Sequence, residues 1–355
     1  MRTLMLVVLL GASLAFDAAR AAEPECRRSG ELEFVCDIKN AEDLVRVPAT
    51  PWIIASGFAA AAGISLIDSR NATHSRLYPD ERPRAEHDPL FADCDAPPPA
   101  ATWVTHGLSL RPAGDGHSTL YVVGHGSREA VEVFDVDATA NRPALTWKGC
   151  VPMPDGLAAN SVASFSDGSL VATVLLMPGK TFGDLFSGQP TGIVLEWSPG
   201  MREFRQIRGS ELPGNNGIEI SADERELFVA STGLQTVVAF SRANPTKQLR
   251  TTALLPFMPD NVHRAPDGRL FTAGMNDDEP ACGGRPGAQQ GFEQFSSCPR
   301  GFVAMAIDPV TMKETLLVKR PPNPAFSNAT MVLTIGQQFW IGTFSGDRVA
   351  YGTLR

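Results

Sequence analysis

The 355-residue sequence has no cluster of lysine and arginine residues of the kind that follows a phosphate backbone, and its formal net charge is -8. Nucleic acid is therefore not expected as a partner, because binding to it depends on concentrated positive charge. Beyond the N-terminal residues, no segment reaches the roughly 18 consecutive apolar residues that a membrane-spanning helix needs. We therefore expect no transmembrane segment in the mature chain.

The N-terminal residues are typical of an export signal. Arg2 supplies a positive start, an apolar stretch follows, and Ala19-Arg20-Ala21 places small residues at the spacing of a cleavage site. The apolar stretch is too short for a membrane span. We therefore predict a signal peptide over residues 1–21 and one domain over residues 22–355, in a secreted or periplasmic protein.

The sequence also has no Cys-X-X-Cys pair, which argues against a structural zinc site and against thioredoxin-like chemistry. An even number of cysteines in an exported chain instead favours disulfides. The stretch between Cys282 and Cys298 is typical of a long loop that needs a crosslink, so we favour that pair. Two other pairs follow by elimination, Cys26 with Cys36 and Cys94 with Cys150.

Helical spacing of apolar residues is scarce after the signal peptide. Short runs rich in Val, Ile, Leu, Phe and Thr dominate, and Gly, Pro, Asp and Asn bound them, as expected for strands joined by turns. The runs recur as a unit at intervals of roughly 45–70 residues, which is close to the length of a propeller blade. Six units predict an all-β fold, a six-bladed β-propeller. The units begin near Glu42, His106, Asn160, Asn216, Asn261 and Ala329.

Polar residues recur where the first strand of each unit begins. In a propeller these strands surround a central channel, so their polar side chains are expected to face one another. Asn216-Gly217 alone is typical of a turn, so the prediction rests on the recurrence and not on any single residue. Two carboxylates and three amide oxygens would suit calcium, which takes six to eight oxygen ligands. The predicted ligands are Glu42, Asn160, Asn216, Asp260 and Asn261.

Six segments, in this order, resemble the paraoxonase/arylesterase family, which consists of calcium-dependent six-bladed propeller hydrolases within the gluconolactonase/regucalcin-like superfamily. The resemblance covers nearly the whole mature chain. The segments are AEDL at 41–44, HGLSL at 106–110, LYVVGHGSREAVEVFDVD at 120–137, NNGIEISADERELFVAST at 215–232, PDNVHRAPDGRLFTAG at 259–274 and QFWIGTFSGDRVAYGTL at 338–354.

The resemblance implies one catalytic calcium, held by the five ligands above, and a histidine pair beside it, His106 and His125. Calcium would polarise the carbonyl of a small-molecule ester or lactone. His106 would activate water, and His125 would orient it or relay its proton. We expect His263, two residues past Asn261, to lie on the opposite face of its strand and to be a weaker candidate. The implied activity is that of a calcium-dependent arylesterase or lactonase.

The family also has a second, structural calcium deeper in the channel. Asp43 and the backbone carbonyl of Leu108 match two of its ligands. Ser161 stands where the family pattern has an aspartate, and the loss of that carboxylate should weaken the second site.

Two other functions share these features. A sugar lactonase of the gluconolactonase/regucalcin-like type has the same propeller and one oxygen-bound metal, but does not require the histidine pair. A non-catalytic propeller would hold calcium for rigidity and act as a binding module, since a fold alone does not fix an activity. Hydrolysis assays on aryl esters and on aliphatic and sugar lactones, with and without chelator, distinguish these alternatives.

Overall fold

The computed structural model describes Cys26 and residues 28–354, so the predicted signal peptide lies outside the described residues. Six separate sheets follow one another along the chain, and each has at least four strands. The first strands of neighbouring sheets contact each other in a closed circle around the central channel. This arrangement confirms the predicted six-bladed β-propeller.

The first three blades follow the predicted units. An extra strand, β6 (Arg84–Ala85), pairs in parallel with the outermost strand of the second blade. The strands of these blades, from the channel outward, are β2 (Leu44–Arg46), β3 (Trp52–Ala55), β4 (Ile64–Asp68) and β5 (Thr73–Tyr78); β7 (Val104–Gly114), β8 (His117–His125), β9 (Ala130–Asp137) and β10 (Ala144–Pro152); β11 (Val162–Ser164), β12 (Leu170–Val174), β13 (Gly192–Trp197) and β14 (Arg205–Leu212).

The last three blades repeat the arrangement. Across all six blades, the described residues form four short helices, which lie in connections between strands. The strands are β15 (Asn215–Ile220), β16 (Glu226–Ser231), β17 (Thr236–Ser241) and β18 (Gln248–Thr251); β19 (Phe257–Arg264), β20 (Leu270–Asn276), β21 (Phe302–Ile307) and β22 (Glu314–Arg320); β23 (Ala329–Ile335), β24 (Gln338–Thr343), β25 (Arg348–Thr353) and β1 (Glu33–Cys36). The α-helices are α1 (Phe182–Phe186) and α2 (Phe292–Ser297), and the 3₁₀ helices are Pro89–Phe91 and Pro280–Cys282.

The circle of six blades closes through β1, a strand that the sequence pattern did not predict. It pairs antiparallel with β25, with Glu33 opposite Tyr351, and so completes the sixth blade from the other end of the chain. Closure leaves only short strand edges exposed, which protects the fold against edge-to-edge association.

Asp-Gly turns join inner strands to their neighbours, as the repeats indicated. Gly168 and Gly268 have φ angles of 83° and 87°, which an L-residue adopts only with strain. The preceding aspartates each accept a hydrogen bond from the backbone N–H two residues on, which fixes the turn.

The stretch from Asn71 to Asp95 has the sequence pattern of an excursion between the first two blades, and that expectation is wrong at its start. Residues 73–78 form β5, the outer strand of the first blade. Three of its six side chains are exposed, which explains the lack of an apolar run. The excursion that remains crosses to the second blade at residues 79–103. The described chain forms all three predicted disulfides, Cys26–Cys36, Cys94–Cys150 and Cys282–Cys298.

The hydrophobic core lies between adjacent blades. Ile218 and Val229 of the fourth blade, for example, pack in one buried cluster with Val171 and Val194 of the third. Each fully buried side chain of this kind contributes about 1.5–3 kcal/mol, so the blades hold one another in register around the channel. Among the described residues, no helix combines the length and apolar character that crossing a membrane requires.

Candidate functional site

The predicted polar residues occupy equivalent positions in the blades. In four inner strands the pairing with the second strand skips two residues, a bulge-like irregularity that redirects side chains. In the first and third blades the equivalent residues come directly before the inner strand. The six equivalent pairs are Glu42–Asp43, His106–Gly107, Asn160–Ser161, Asn216–Gly217, Asp260–Asn261 and Thr330–Met331.

Glycine has a packing role at this level of the channel. A Cβ atom at Gly217 would lie 2.4 Å from the backbone nitrogen of Val262, in the next inner strand. Asn216-Gly217 is therefore not a turn. It lies within β15, where the glycine lets two blades approach closely while Asn216 remains beside the channel.

Glu42, Asn160, Asn216, Asp260 and Asn261, hereafter the oxygen ring, are all buried. The Asn261 amide donates to Glu42 Oε1 at 2.6 Å, and the Asn216 amide donates to Thr232 Oγ1 at 3.1 Å. Four side-chain oxygens of this ring have no hydrogen-bond partner within the described structure. They are Glu42 Oε2 and the Oδ1 atoms of Asn160, Asn216 and Asn261.

These unpartnered oxygens are the main reason to assign a cation here. A buried polar atom left unsatisfied costs about 1–3 kcal/mol, and here four lie in one ring. Burial, with Asp260 and Asp43 nearby, raises the pKa of Glu42 well above its usual value, and burial and Asp43 raise the pKa of Asp260 to about 8. A divalent cation would relieve both effects, so the residues present fit the calcium ion that the sequence predicts.

The donor types favour a hard cation. Within residues 28–354 and Cys26, no group of three or more His, Cys, Asp or Glu side chains is placed to hold a metal ion, so a cation site here depends on the amide oxygens as well. The ring instead combines two carboxylates with three amides, a set that suits calcium better than zinc or copper. Five side chains also leave coordination positions for water or for a substrate oxygen.

His106 and His125 lie together beside the ring. His106 Nδ1 is 3.1 Å from His125 Nε2, and His125 Nδ1 is 2.5 Å from Glu129 Oε2. Because a carboxylate accepts, Nδ1 of His125 is the donor to Glu129. With His125 as the Nδ1–H tautomer, its Nε2 accepts from His106 Nδ1–H. This network assigns the lone pair of His106 to Nε2, which lies 3.9 Å from Glu42 Oε2.

The surroundings of His106 keep it neutral. Burial, and then the neighbouring His125, lower the pKa of His106 well below 6.5. The Phe58 ring packs against it, with ring centroids 4.2 Å apart. A neutral imidazole with a free Nε2 can accept a proton near pH 7. Sequence analysis missed Phe58 and Glu129, because both lie in connections between strands, where no repeat marks them.

Asp43 and His263 form a second buried cluster. His263 Nε2 lies 2.8 and 3.0 Å from the two Asp43 oxygens, so the expectation that His263 faces away was wrong. Residues two apart on a strand share a face, which places His263 on the channel side with Asn261. Although burial acts in the opposite direction, Asp43 and Glu219 raise the pKa of His263 to about 10. Leu108 contacts Asp43 through its N–H, at 2.8 Å.

A cavity of about 730 Å³ lies farther along the inner strands, where His263 and Glu219 contribute to its wall. Neither the oxygen ring nor the His106–His125 pair lines this cavity. Its size therefore does not by itself identify the site of chemistry. The oxygen ring is the stronger candidate, because its buried polar atoms are unsatisfied.

An aromatic cluster adjoins the oxygen ring. Helices α1 and α2 lie in connections from the second to the third strand of their blades, and antiparallel order places these connections where inner strands begin. A Cβ at Gly214, two residues before Asn216, would lie 2.6 Å from the Leu185 side chain of α1. Five phenylalanines link the helices and the sixth blade, with centroid distances of 4.9 Å for Phe182–Phe292, 5.0 Å for Phe186–Phe295 and 5.7 Å for Phe292–Phe344.

This cluster, which we call the aromatic wall, reaches the strand that carries two ring members. Phe295 packs with Met258 of β19, two residues before Asp260. Phe292 is 41% exposed, so the wall presents apolar surface to solvent next to the polar ring. The wall is therefore a neighbour of the strand that carries Asp260 and Asn261, and a candidate contact for an apolar group of a ligand.

No protein-family model matches this chain, and no curated protein matches its sequence. Solved structures share its fold. A gluconolactonase from Xanthomonas campestris is 14% identical with a TM-score of 0.52, and the alignment covers 91% of this chain and 89% of that one. A luciferin-regenerating enzyme is 11% identical with a TM-score of 0.53, over 90% of this chain and 94% of that one.

A third structure, a PQQ-bound aldose sugar dehydrogenase from Streptomyces coelicolor, is 13% identical with a TM-score of 0.50, over 94% of this chain and all of that one. The names of these proteins describe different chemistries. At such low identity the likeness shows the propeller fold alone, and the activity has to be argued from the site.

Proposed function

We propose that this protein is a calcium-dependent hydrolase of aryl esters and lactones that carry an apolar group, similar to the paraoxonase/arylesterase family. The observation that carries the proposal is the position of His106 Nε2. It is unprotonated in the assigned network and lies 3.9 Å from an unpartnered oxygen of the ring. A base and a cation site thus adjoin each other in a buried channel.

The chemistry divides between the ring and the histidines. Calcium held by the ring would polarise the substrate carbonyl and stabilise the negative charge that develops on its oxygen. His106 Nε2 takes a proton from water as the water oxygen bonds to the carbonyl carbon. His125 and Glu129 hold the His106 ring in place and stabilise its positive charge. The proton then passes from His106 to the leaving oxygen as the ester bond breaks.

The aromatic wall supports an apolar substrate group. Phe182, Phe292 and Phe344 offer ring faces and no hydrogen-bond donors, so they suit an aryl or alkyl group better than the hydroxyls of a sugar. Phe58, against His106, provides a second apolar contact near the reacting carbonyl.

A sugar lactonase is the second candidate, because a gluconolactonase shares the fold. The free His106 Nε2 and the aromatic wall favour the first candidate. The same two features argue against a non-catalytic propeller that holds calcium only for rigidity, since such a protein needs neither a free base nor an apolar wall. We further propose export, since three disulfides are typical of an oxidising compartment.

The test is a hydrolysis panel of phenyl acetate, an aliphatic lactone and a sugar lactone, assayed before and after exhaustive chelation. We expect hydrolysis of the first two, loss of both on chelation and recovery with calcium. Preference for the sugar lactone would support the second candidate. Unchanged ester hydrolysis in protein shown by elemental analysis to be metal-free would refute the metal mechanism.

A further inference from the structure

The channel contains a buried acid that the proposed mechanism does not use. Asp43 follows Glu42 directly and is fully buried. The family resemblance implies a second, structural calcium at this position. The local contacts allow that implication to be tested.

The carboxylate of Asp43 is already fully paired. Leu44 N–H donates to its Oδ1 and Leu108 N–H donates to its Oδ2, both at 2.8 Å. His263 Nε2 contacts both oxygens, at 2.8 and 3.0 Å. The imidazole therefore occupies the position beside this carboxylate that a cation would take.

The opposite side of His263 is also acidic. Glu219 Oε2 lies 3.9 Å from His263 Nδ1, and the backbone N–H of Arg264 donates to the same oxygen at 2.9 Å. The His263 ring of the fifth blade thus bridges a carboxylate of the first blade and a carboxylate of the fourth.

The third blade supplies no carboxylate at this level. Ser161 is fully buried, and its hydroxyl accepts from the Ile218 N–H at 3.4 Å. A Cβ at Gly107 would lie 2.6 Å from the Ser161 Cα, so Ser161 lies beside the segment that bonds Asp43 through Leu108. The residues at this end therefore do not fit a second calcium ion.

We propose that the Asp43 position binds no metal and that the His263 imidazole, held between Asp43 and Glu219, occupies the place of that ion. A dissociable ion would then be needed only at the oxygen ring. This proposal does not depend on the hydrolase activity, because it concerns the charge balance of a different carboxylate.

The first experiment counts calcium per chain by elemental analysis after equilibration with calcium and removal of free ion. The Asp43→Asn variant is expected to bind as much calcium as the wild-type protein. A loss of one ion per chain in Asp43→Asn would overturn the proposal. The calcium content of Asp260→Ala is measured in parallel and tests the oxygen ring. A failure of the proposed catalytic site is therefore detected separately from a failure at Asp43.

The second experiment converts the position into a metal site. The Ser161→Asp/His263→Gln double variant adds a carboxylate and removes the imidazole, and it is expected to bind one calcium ion more than wild type. His263→Gln alone is the matched control, and it is expected to bind no more calcium than wild type because it lacks the added carboxylate. A folded double variant, judged by circular dichroism, that binds no additional calcium would contradict the role assigned to His263.

Discussion

The oxygen ring and the Asp43–His263 pair are neighbouring buried acid clusters that are completed in different ways. In the ring, Glu42 Oε2 and three amide oxygens have no hydrogen-bond partner among the described residues. At Asp43, two backbone N–H groups and an imidazole satisfy both carboxylate oxygens. Burial of acid is therefore not by itself a sign of a metal site; the informative feature is whether the chain completes the charge and hydrogen bonds itself.

The largest expected effect comes from removing charge at the ring. Asp260→Ala deletes one of two carboxylates, whereas Asn160→Ala deletes a neutral ligand that water can replace. We expect Asp260→Ala to lose calcium binding and activity together, and Asn160→Ala to retain part of both. Calcium titration of the two variants measures the difference, and equal losses of affinity would contradict the assigned roles.

The paired cluster should respond in stability and not in metal binding. His263→Gln leaves Asp43 buried without its cation, and breaking a buried pair in this way costs about 3–5 kcal/mol of the free energy of unfolding. Asp43→Asn/His263→Gln removes both charges and should recover much of that loss. Denaturant unfolding of the two variants tests this, and an unchanged midpoint for His263→Gln would show that the pair contributes nothing.

A substitution at Glu129 tests whether its hydrogen bond with His125 only orients the histidine pair or also assists proton transfer. Glu129→Gln keeps an oxygen that accepts from His125 Nδ1–H but removes the negative charge, so we expect a fall in kcat of about tenfold. Calcium content should not change, since Glu129 is not in the ring. A loss of bound calcium in this variant would place Glu129 in the metal site instead.

The aromatic wall should have the smallest effect, limited to apolar substrates. Phe292→Ala is expected to reduce kcat/KM severalfold for a long-chain aryl ester, because a partly exposed ring contributes only part of the roughly 1.5–3 kcal/mol of a buried one. Phenyl acetate should be affected less. Leu316→Ala, which removes an exposed apolar side chain from the outer strand β22, is the matched control. Equal losses on both esters would remove the wall from substrate binding.

The sequence was informative where local patterns repeat and uninformative where contacts join distant segments. Short apolar runs recur in each blade, and Asp-Gly turns join the first two strands of the second, third and fifth blades, so the six blades and the ring positions could be predicted. The pairing of β1 with β25 could not, because it joins Glu33 to a residue 318 positions away. The contact between His263 and Asp43 likewise depends on how the blades pack, and Glu129 lies in a connection without a repeat.

The most direct test of the mechanism is the pH dependence of kcat/KM in the parent and in His106→Gln, with bound calcium confirmed. Burial and His125 lower the pKa of His106, so the base stays neutral to lower pH than a free imidazole, and the rate should fall only below pH 6.5. His106→Gln should lose about 10²–10⁴-fold in kcat. The fall in rate at low pH, which is the acid limb of the profile, should also disappear in this variant. His117→Gln, at the half-exposed start of β8, should match the parent. A metal-loaded His106→Gln variant that keeps near-parental rates and the same limb would contradict the account.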